Sequence, residues 1–337
     1  MVKTRTKAHG RGRVARAGSG GALRRAALAP AAVALAAAVA VSCSRPGGAR
    51  GRGGFDPAAV SGDRAMDEVQ ALIAIAPRDA ATPGGLTAAR HLLARLRAAG
   101  VRDAAIEEFR EKTPDGILTF HNVVGRLPGR GQGLVILASH YDTKAGIPGF
   151  AGANDSGSSS GLLLELARAM VAGPVVDPEI RFAFFDGEEC RRSYGTGDGL
   201  HGSRYMAERL STASPRPDVR AVIVMDMIGD RDLRVSIPRN SSPEIISRVF
   251  EAAHAEGVRD RFTLDRGEMI DDHLPFFAAG FPAIDLIDFQ FGSAPGRNDY
   301  WHTPQDSIDK IDARSLEIVG RVVVRVVNGL CAGGERP

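Results

Sequence analysis

The feature that most constrains this chain is a run of apolar residues that ends abruptly in acid. Residues 180–189 read I-R-F-A-F-F-D-G-E-E, which predicts a strand covered on both faces that runs directly into Asp186, Glu188 and Glu189. In α/β sheets, ligands bind beyond the carboxyl ends of such strands. Adjacent carboxylates are costly to bury unless they bind something. This stretch therefore predicts a functional site at the edge of a sheet.

Two further apolar segments end in the same way. Residues 134–142, L-V-I-L-A-S-H-Y-D, reach His140 and Asp142, and residues 221–229, A-V-I-V-M-D-M-I-G, contain Asp226. Each acid taken alone is explained equally well as a cap of the following helix. Three such strands that also deliver a histidine are more typical of a metal site.

The rest of the chain alternates between strand and helix patterns, without an internal repeat or an inner linker. This alternation predicts α/β architecture: a single-domain three-layer α/β/α sandwich with a central mixed, mostly parallel twisted sheet. The predicted helices are 65–76, 87–99, 161–171, 202–210, 243–256 and 315–330, and the predicted strands are 104–109, 118–127, 134–140, 180–185, 219–225, 233–237 and 282–287.

The N-terminal segment, residues 1–43, has the pattern of an export signal. A basic region that holds Arg24 and Arg25 precedes an uncharged Ala-rich stretch and then Cys43. The letters A-V-S-C resemble a bacterial lipobox, and the arginine pair resembles a twin-arginine signal. A transmembrane anchor is disfavoured because the stretch is short and interrupted by Pro30. We expect the body to lie outside the cytoplasm, periplasmic or at the cell surface, with Cys43 as a candidate lipid anchor.

Charge separates this leader from the body. Residues 1–42 hold eight Lys or Arg and no acid, which leaves 35 of the 43 basic residues against 40 acidic ones. A body with net negative charge argues against nucleic-acid binding. Residues 44–55, S-R-P-G-G-A-R-G-R-G-G-F, predict a flexible linker. The catalytic domain is then predicted over 56–332.

Seven short motifs in one order carry a family resemblance over residues 65–330: H-Y-D, G-A-N-D-S, F-F-D-G-E-E, G-S-R, M-D-M-I-G, D-D-H-L-P-F and W-H-T. Together they resemble the zinc exopeptidase superfamily, which includes aminopeptidase Y-type enzymes and animal-type glutaminyl cyclases. The resemblance implies that Asp155, Glu189 and His302 bind zinc and that Glu188 is the general acid/base. It also implies that His140 and Asp226 match the positions that hold a second zinc in the aminopeptidases.

Two features favour the cyclase branch, which turns the N-terminal glutamine of a peptide into pyroglutamate with release of ammonia. The loop between Glu189 and Gly202 has the length found in cyclases, and D-D-H-L-P-F is a cyclase signature whose Asp271 matches an acid that assists proton transfer. Asp226 is expected to act with it. Trp301 and Tyr194 are expected to line the substrate pocket, although Tyr194 stands where animal cyclases place a tryptophan. The long loop 288–300 and the form of G-A-N-D-S-G are further departures.

The alternatives remain open at this stage. A cyclase would hold one Zn²⁺, whereas an aminopeptidase would hold two and would use Glu188 to activate water for hydrolysis of the first peptide bond. A third interpretation is that the protein is a catalytically inactive ectodomain that binds a partner. For both enzymes the expected substrates are peptides with a free N-terminus. Asp285 and Asp288 are expected to face solvent, and the sequence does not predict the oligomeric state.

Overall fold

The computed structural model of the protein describes residues 53–332, and this part forms eight strands and seven α-helices. The strands are β1 (Asp103–Thr113), β2 (Gly116–Leu127), β3 (Leu134–His140), β4 (Glu179–Phe185), β5 (Val219–Asp226), β6 (Val235–Ile237), β7 (Phe262–Leu264) and β8 (Ala283–Ile287). The helices are α1 (Gly62–Ile73), α2 (Pro83–Ala98), α3 (Ser159–Val171), α4 (His201–Thr212), α5 (Pro243–Ala255), α6 (His273–Ala278) and α7 (Ala313–Ala332).

All eight strands join one mixed sheet in the order β1-β2-β4-β3-β5-β8-β6-β7. Its centre, β4-β3-β5-β8, is parallel throughout, while β1, β2 and β4 pair in antiparallel fashion at one side. The other side is mixed, since β6 is antiparallel to β8 and parallel to β7. The parallel centre places the carboxyl ends of β4, β3 and β5 side by side.

Alternate residues of the central strands enter two different apolar clusters, as the two-residue period of a strand requires. On β3, Val135 and Leu137 pack with the cluster that holds α1, α2, α3, α5 and α7. Leu134, Ile136 and Ala138 pack with the cluster that holds α4 and α6. Helices therefore cover both faces of the sheet, which confirms the three-layer α/β/α prediction.

Local chemistry explains where the first helices begin and end. The Ser61 hydroxyl accepts the backbone N–H of Arg64 at the start of α1, and the Thr82 hydroxyl accepts that of Gly85 at the start of α2. After α2 the chain reverses at Gly100, whose φ of +98° is accessible to glycine without the strain that a Cβ would add.

The structure adds two elements that the sequence pattern did not predict, α6 and β7. Helix α6 has six residues and contains Pro275 in its first turn, so it is too short to show a helical period. Proline is tolerated there because the first N–H groups of a helix have no partner within the helix. Strand β7 has three residues and one parallel neighbour, β6, which leaves too little sequence for an alternating pattern.

The described residues include only the end of the predicted linker. Phe55 is buried, and its backbone N–H donates to the Asn328 side chain at 2.7 Å, so it already belongs to the folded domain. Within residues 53–332, no helix combines the length and apolar character that crossing a bilayer requires. The predicted export signal and Cys43 lie outside the described residues.

Glu165 fastens α3 to the start of α1. Its carboxylate, with 1% of the side chain exposed, accepts the backbone N–H of Ser61 at 2.8 Å and bonds to Arg64 and Arg168. Burial raises the pKa of Glu165, but the two arginines and the Ser61 N–H outweigh it and hold that pKa below its ordinary value.

We expect Glu165→Gln to lower the free energy of unfolding by about 1.5–3 kcal/mol, because it removes hydrogen bonds to a buried charge. Since the folded-state pKa is lowered, this contribution is complete above the unfolded-state pKa of about 4.3 and is lost as the pH falls through the folded-state pKa. Urea unfolding at two pH values measures it. The control is Glu268→Gln, which removes an exposed ion pair with Arg239 and should cost under about 1 kcal/mol. Equal losses in the two variants would contradict the role of Glu165.

Candidate active site and metal centre

The carboxyl ends of three adjacent parallel strands define the candidate site. His140 is the last residue of β3, Asp226 is the last residue of β5, and Glu188 and Glu189 follow the end of β4. All four are at least 93% buried. The three sequence segments that end in histidine or carboxylate are thus brought together at one edge of the sheet, where α/β proteins bind their ligands.

A glycine turn and one buried carboxylate fix the two glutamates. Gly187 has a φ of +76°, and a Cβ there would lie 2.6 Å from the Phe120 ring, so only glycine fits without movement. Beyond this turn, the Asp142 carboxylate accepts the backbone N–H groups of Glu188 at 3.1 Å and Glu189 at 3.2 Å. Asp142 thereby ties the end of β3 to the turn after β4.

Asp155 lies on the loop before α3, and two buried side chains hold this loop. The Asp306 carboxylate accepts the backbone N–H groups of Asn154 and Asp155 at 2.6 and 3.0 Å. The Arg78 guanidinium, fully buried, donates to the carbonyls of Tyr141, Ala151 and Gly152 at 2.5–2.7 Å. The backbone around Asp155 is therefore fixed by charge-assisted hydrogen bonds from distant parts of the chain.

The three residues that the resemblance assigns to zinc are in mutual reach. His302 Nε2 lies 2.8 Å from Glu189 Oε1 and 3.3 Å from Asp155 Oδ2. The His302 ring stacks on that of Trp301, with ring centroids 3.9 Å apart. Ligand atoms of Asp155, Glu189 and His302 all lie within 4.8 Å of one another.

A second group shares Asp155 with the first. His140 Nε2 lies 3.2 Å from Asp155 Oδ1 and 3.3 Å from Asp226 Oδ1, and His140 Nδ1 lies 3.4 Å from Asp142. Asp155 thus presents one oxygen to each histidine. Asp155 therefore belongs to both groups of candidate metal ligands.

The buried acids and histidines perturb one another strongly. Burial lowers the pKa of His302, but Asp155 and Glu189 outweigh it and raise that pKa to about 9. The pKa of His140 is likewise held well above its ordinary value by Asp142, Asp155 and Asp226 despite burial. Burial, with Glu189 and Asp271 nearby, raises the pKa of Glu188 well above its usual range. The cluster holds more negative charge than its two histidines can offset.

The donor set fits zinc. Asp155 Oδ2 and Asp226 Oδ1 are buried, and neither has the geometry of a hydrogen bond although each lies 3.3 Å from a histidine nitrogen. Glu189 Oε2 is also buried and accepts no hydrogen bond. Carboxylate oxygens and histidine nitrogens both bind Zn²⁺, and three protein ligands leave a position for substrate or water. A divalent cation would relieve the cost of these buried charges.

A pocket of about 260 Å³ opens beside these ligands. Its lining comprises Asp155, Glu188, Glu189, Tyr194, Asp226, Met269, Ile270, Asp271, Ile287, Phe289, Trp301 and His302. Every sequence-predicted site residue except His140 is among them. The Tyr194 hydroxyl donates to the Glu188 carboxylate at 3.0 and 3.2 Å, a contact that the sequence pattern did not reveal.

Asp271, which lines the pocket, extends the acidic cluster, since its carboxylate lies within 4.8 Å of ligand atoms of His273 and Asp285. The prediction that Asp285 and Asp288 face solvent is wrong, because both are fully buried. Asp288 accepts the backbone N–H groups of Arg234 and Gln290 at 2.7 and 3.1 Å. Asp285 lies within β8 and Asp288 directly follows it. Every residue of this strand is buried, so both acids are enclosed with it.

Three residues that support the site were not singled out from the sequence: Arg78, Asp306 and Lys144. The Lys144 ammonium lies 3.4 Å from Glu189 Oε2 and donates to the Cys190 carbonyl at 2.5 Å. No local pattern marks Arg78, which lies more than 60 residues from its partners. Of the three, only Asp306 could have been found from the sequence, because it is an acid four residues after His302 and close to the W-H-T motif. Cys190 and Cys331 are both free thiols.

Comparison with known proteins decides the family. The sequence profile of peptidase family M28 matches residues 122–327, which is more than half of the chain. The protein belongs to peptidase family M28. It is therefore an enzyme of a zinc-dependent exopeptidase and cyclase family, and the match confirms the resemblance seen in the motifs.

The relatives include cyclases and an aminopeptidase. The glutaminyl-peptide cyclotransferase of Bos taurus is 27% identical over 281 residues, which cover 72% of this chain and 75% of that protein. The crystal structure of an Acidobacteriales bacterium glutaminyl cyclase is 31% identical with a TM-score of 0.77, over 86% of this chain and all of that one. A leucine aminopeptidase precursor from Bacteroides thetaiotaomicron is 26% identical with a TM-score of 0.70, over 85% and 99% of the chains.

We expect Asp306→Asn to weaken zinc binding by about 10- to 100-fold, the usual effect of removing a group that orients a metal ligand. An asparagine side chain has one acceptor oxygen for two backbone N–H groups, so the Asp155 loop loses a bond. Competition with a chromophoric chelator measures the affinity. Asp309→Asn is the matched control, since the same substitution three residues later falls on a side chain that is 63% exposed. Unchanged affinity in Asp306→Asn would contradict the role of the loop.

Proposed function

We propose that this protein is a zinc-dependent glutaminyl-peptide cyclotransferase, which converts an N-terminal glutamine to pyroglutamate and releases ammonia. The carrying observation is the pocket in which Glu188 and Asp271 line the same small space as the triad Asp155, Glu189 and His302. Cyclisation must remove a proton from one nitrogen and deliver one to another, and a base with a second buried acid beside it suits that task. Similarity to several glutaminyl cyclases supports the same choice.

In this proposal Asp155, Glu189 and His302 would hold one zinc ion. The ion supplies Lewis-acid polarisation of the γ-carbonyl of the substrate glutamine. Asp142 and Asp306 keep the ligand backbone in place, and Trp301 keeps the His302 ring in place by stacking on it.

Glu188 moves the proton. As the α-amino nitrogen attacks the γ-carbonyl carbon, the Glu188 carboxylate takes a proton from that nitrogen. It then gives the proton to the side-chain amide nitrogen while the bond from this nitrogen to the carbonyl carbon breaks. The five-membered lactam and ammonia are the products, and Glu188 returns to its starting state. The raised pKa of Glu188 suits an acid/base that must both accept and donate.

Neighbouring groups tune this step. The Tyr194 hydroxyl orients the Glu188 carboxylate, while Asp226 and Asp271 share or stabilise the proton within the same pocket. Trp301 and Phe289, edge to face with centroids 5.0 Å apart, form an apolar wall beside the glutamine side chain.

One observation favours a second function, a two-zinc aminopeptidase. Asp155 faces both His140 with Asp226 and His302 with Glu189, so the residues for two adjacent ions are present. In this alternative these residues would hold two ions that supply Lewis-acid chemistry, and Glu188 would take a proton from the water that attacks the first peptide bond. The likeness to a leucine aminopeptidase precursor supports this alternative. In either case the substrates are peptides with a free N-terminus.

We further propose that the protein is exported. The support is the basic, Ala-rich segment that ends in Cys43, whose composition is typical of an export signal. A lipid on Cys43 would place the enzyme at a membrane surface.

The deciding experiment counts zinc per chain and, in the same preparation, assays ammonia release from a Gln-initiated peptide and amine release from a Leu-initiated one. We expect one zinc and ammonia release. Glu188→Gln should lower that rate by about 10²- to 10⁴-fold while zinc content is retained, because the variant loses the acid/base but no ligand. Two zincs with leucine release would establish the aminopeptidase, and zinc with neither activity would leave the partner-binding ectodomain.

We expect Tyr194→Phe to lower kcat by about tenfold with a smaller change in KM, because the phenol donates to the base and not to a metal ligand. Steady-state kinetics on a Gln-initiated peptide measure both constants. Tyr205→Phe is a suitable control, since its ring stacks on Phe109 with centroids 4.2 Å apart, away from the pocket lining. A rise in KM with unchanged kcat would instead make Tyr194 a substrate-binding wall only.

A further inference from the structure

A second, larger concavity adjoins the active-site pocket. It has a volume of about 610 Å³ and lies between α4 and α6, with the loop around Tyr194 at one end. We call it the α4–α6 groove. Most of its lining is apolar, from Leu200, Ala207, Ile270, Leu274, Pro275 and Ala278.

The groove adjoins the active-site pocket, because the two spaces share part of their lining. Tyr194 and Ile270 line both spaces, and Tyr194 at the same time bonds to Glu188. A peptide chain that extends from the active-site pocket over these two side chains would reach the α4–α6 groove. Ile270 is 52% exposed, one of the few large apolar side chains that the described part of the chain leaves in solvent.

Size separates the two spaces. At about 260 Å³, the active-site pocket is smaller than the 300–1,000 Å³ typical of ligand sites and accommodates one residue. The groove, at about 610 Å³, falls inside that range. A substrate with several residues beyond its N-terminal one needs such a second space.

The charges in the groove define the occupant further. Arg204 is already bonded to Glu111 at 3.1 Å and to the Gly199 carbonyl at 2.8 Å. Among the described lining residues it is the only cation, so the groove offers no unpaired positive charge to a terminal carboxylate. The exposed carboxylate of Glu208 also lines the groove, and its charge disfavours a bound peptide with acidic side chains.

We propose that the α4–α6 groove binds the two or three residues that follow the N-terminal residue of the substrate, and that it selects peptides in which these residues are apolar and the chain continues or is amidated. This inference rests on the proposed function for its reaction, although the groove would serve an aminopeptidase equally. Apolar side chains gain from burial against Leu274, Pro275 and Ile270, whereas glycine gains nothing.

The test compares Gln-Leu-Phe-amide with Gln-Gly-Gly-amide on the zinc-loaded full chain. We expect kcat/KM to be about three- to tenfold higher for the apolar peptide, the gain from partial burial of its two side chains. Ala278→Glu places a charge on one wall and Ser211→Glu places one on the other. Each should bring the ratio of the two kcat/KM values close to one. Ala255→Glu, an exposed position on α5 outside the groove, should leave the ratio unchanged.

Calorimetry with the pyroglutamyl forms of the same two peptides provides a readout that needs no turnover. Tighter binding of the apolar form, abolished in Ala278→Glu, supports the groove even when no ammonia is released, and in that case only the proposed reaction fails. Ammonia release without preference between the peptides overturns the groove and leaves the reaction intact.

Two controls keep the result interpretable. Thermal unfolding tests whether each variant folds. If Ala278→Glu does not fold, Ser211→Glu replaces it in the comparison. Sedimentation of the wild type and Ala278→Glu tests whether a second copy covers the groove. A dimer that dissociates in the variant, with no peptide preference, would overturn the proposal.

Discussion

The structure depends on how it accommodates several buried carboxylates at one place. Asp142, Asp155, Glu188, Glu189 and Asp226 all lie buried at one edge of the sheet. Carboxylates so close together repel, and burial adds to the cost of each charge. Histidines, backbone N–H groups and the Lys144 ammonium offset part of this cost, and a bound cation would offset more of it. The close, buried carboxylates that destabilise the fold without metal are therefore the groups that would bind a metal ion strongly.

The scaffold meets this cost by making the site rigid. Strands β3, β4 and β5 are hydrogen-bonded along their length and covered on both faces, so their ends cannot move apart. The less regular loop before α3 is fixed instead by Arg78, whose burial lowers its pKa to about 10 while four nearby carboxylates raise it. An arginine so deep in the protein is tolerated because each of its three side-chain nitrogens donates to a carbonyl group.

Sequence reasoning succeeded where the physical signal is local. Continuous apolar runs predicted the central strands, and acids at their ends predicted the site, because both depend on neighbouring residues alone. It failed where the cause is distant. Arg78 looks like a surface residue until the loop that it binds is in place, and Asp288 looks exposed until β8 is enclosed. Helix α6 was missed because packing against α4, rather than a helical period, stabilises its six residues.

The two candidate reactions differ less in residues than in what surrounds them. Both need Glu188 as a base and Asp155 as a ligand, so the ligand set alone does not separate a cyclase from an aminopeptidase. A hydrolase must admit water to its base, whereas a cyclase gains from excluding it, since intramolecular attack then has no competitor. Here the Tyr194 hydroxyl donates a hydrogen bond to the Glu188 carboxylate, and the apolar side chains of Phe289 and Trp301 line the pocket. A base so enclosed is better placed to shuttle a proton within a bound substrate than to activate a passing water.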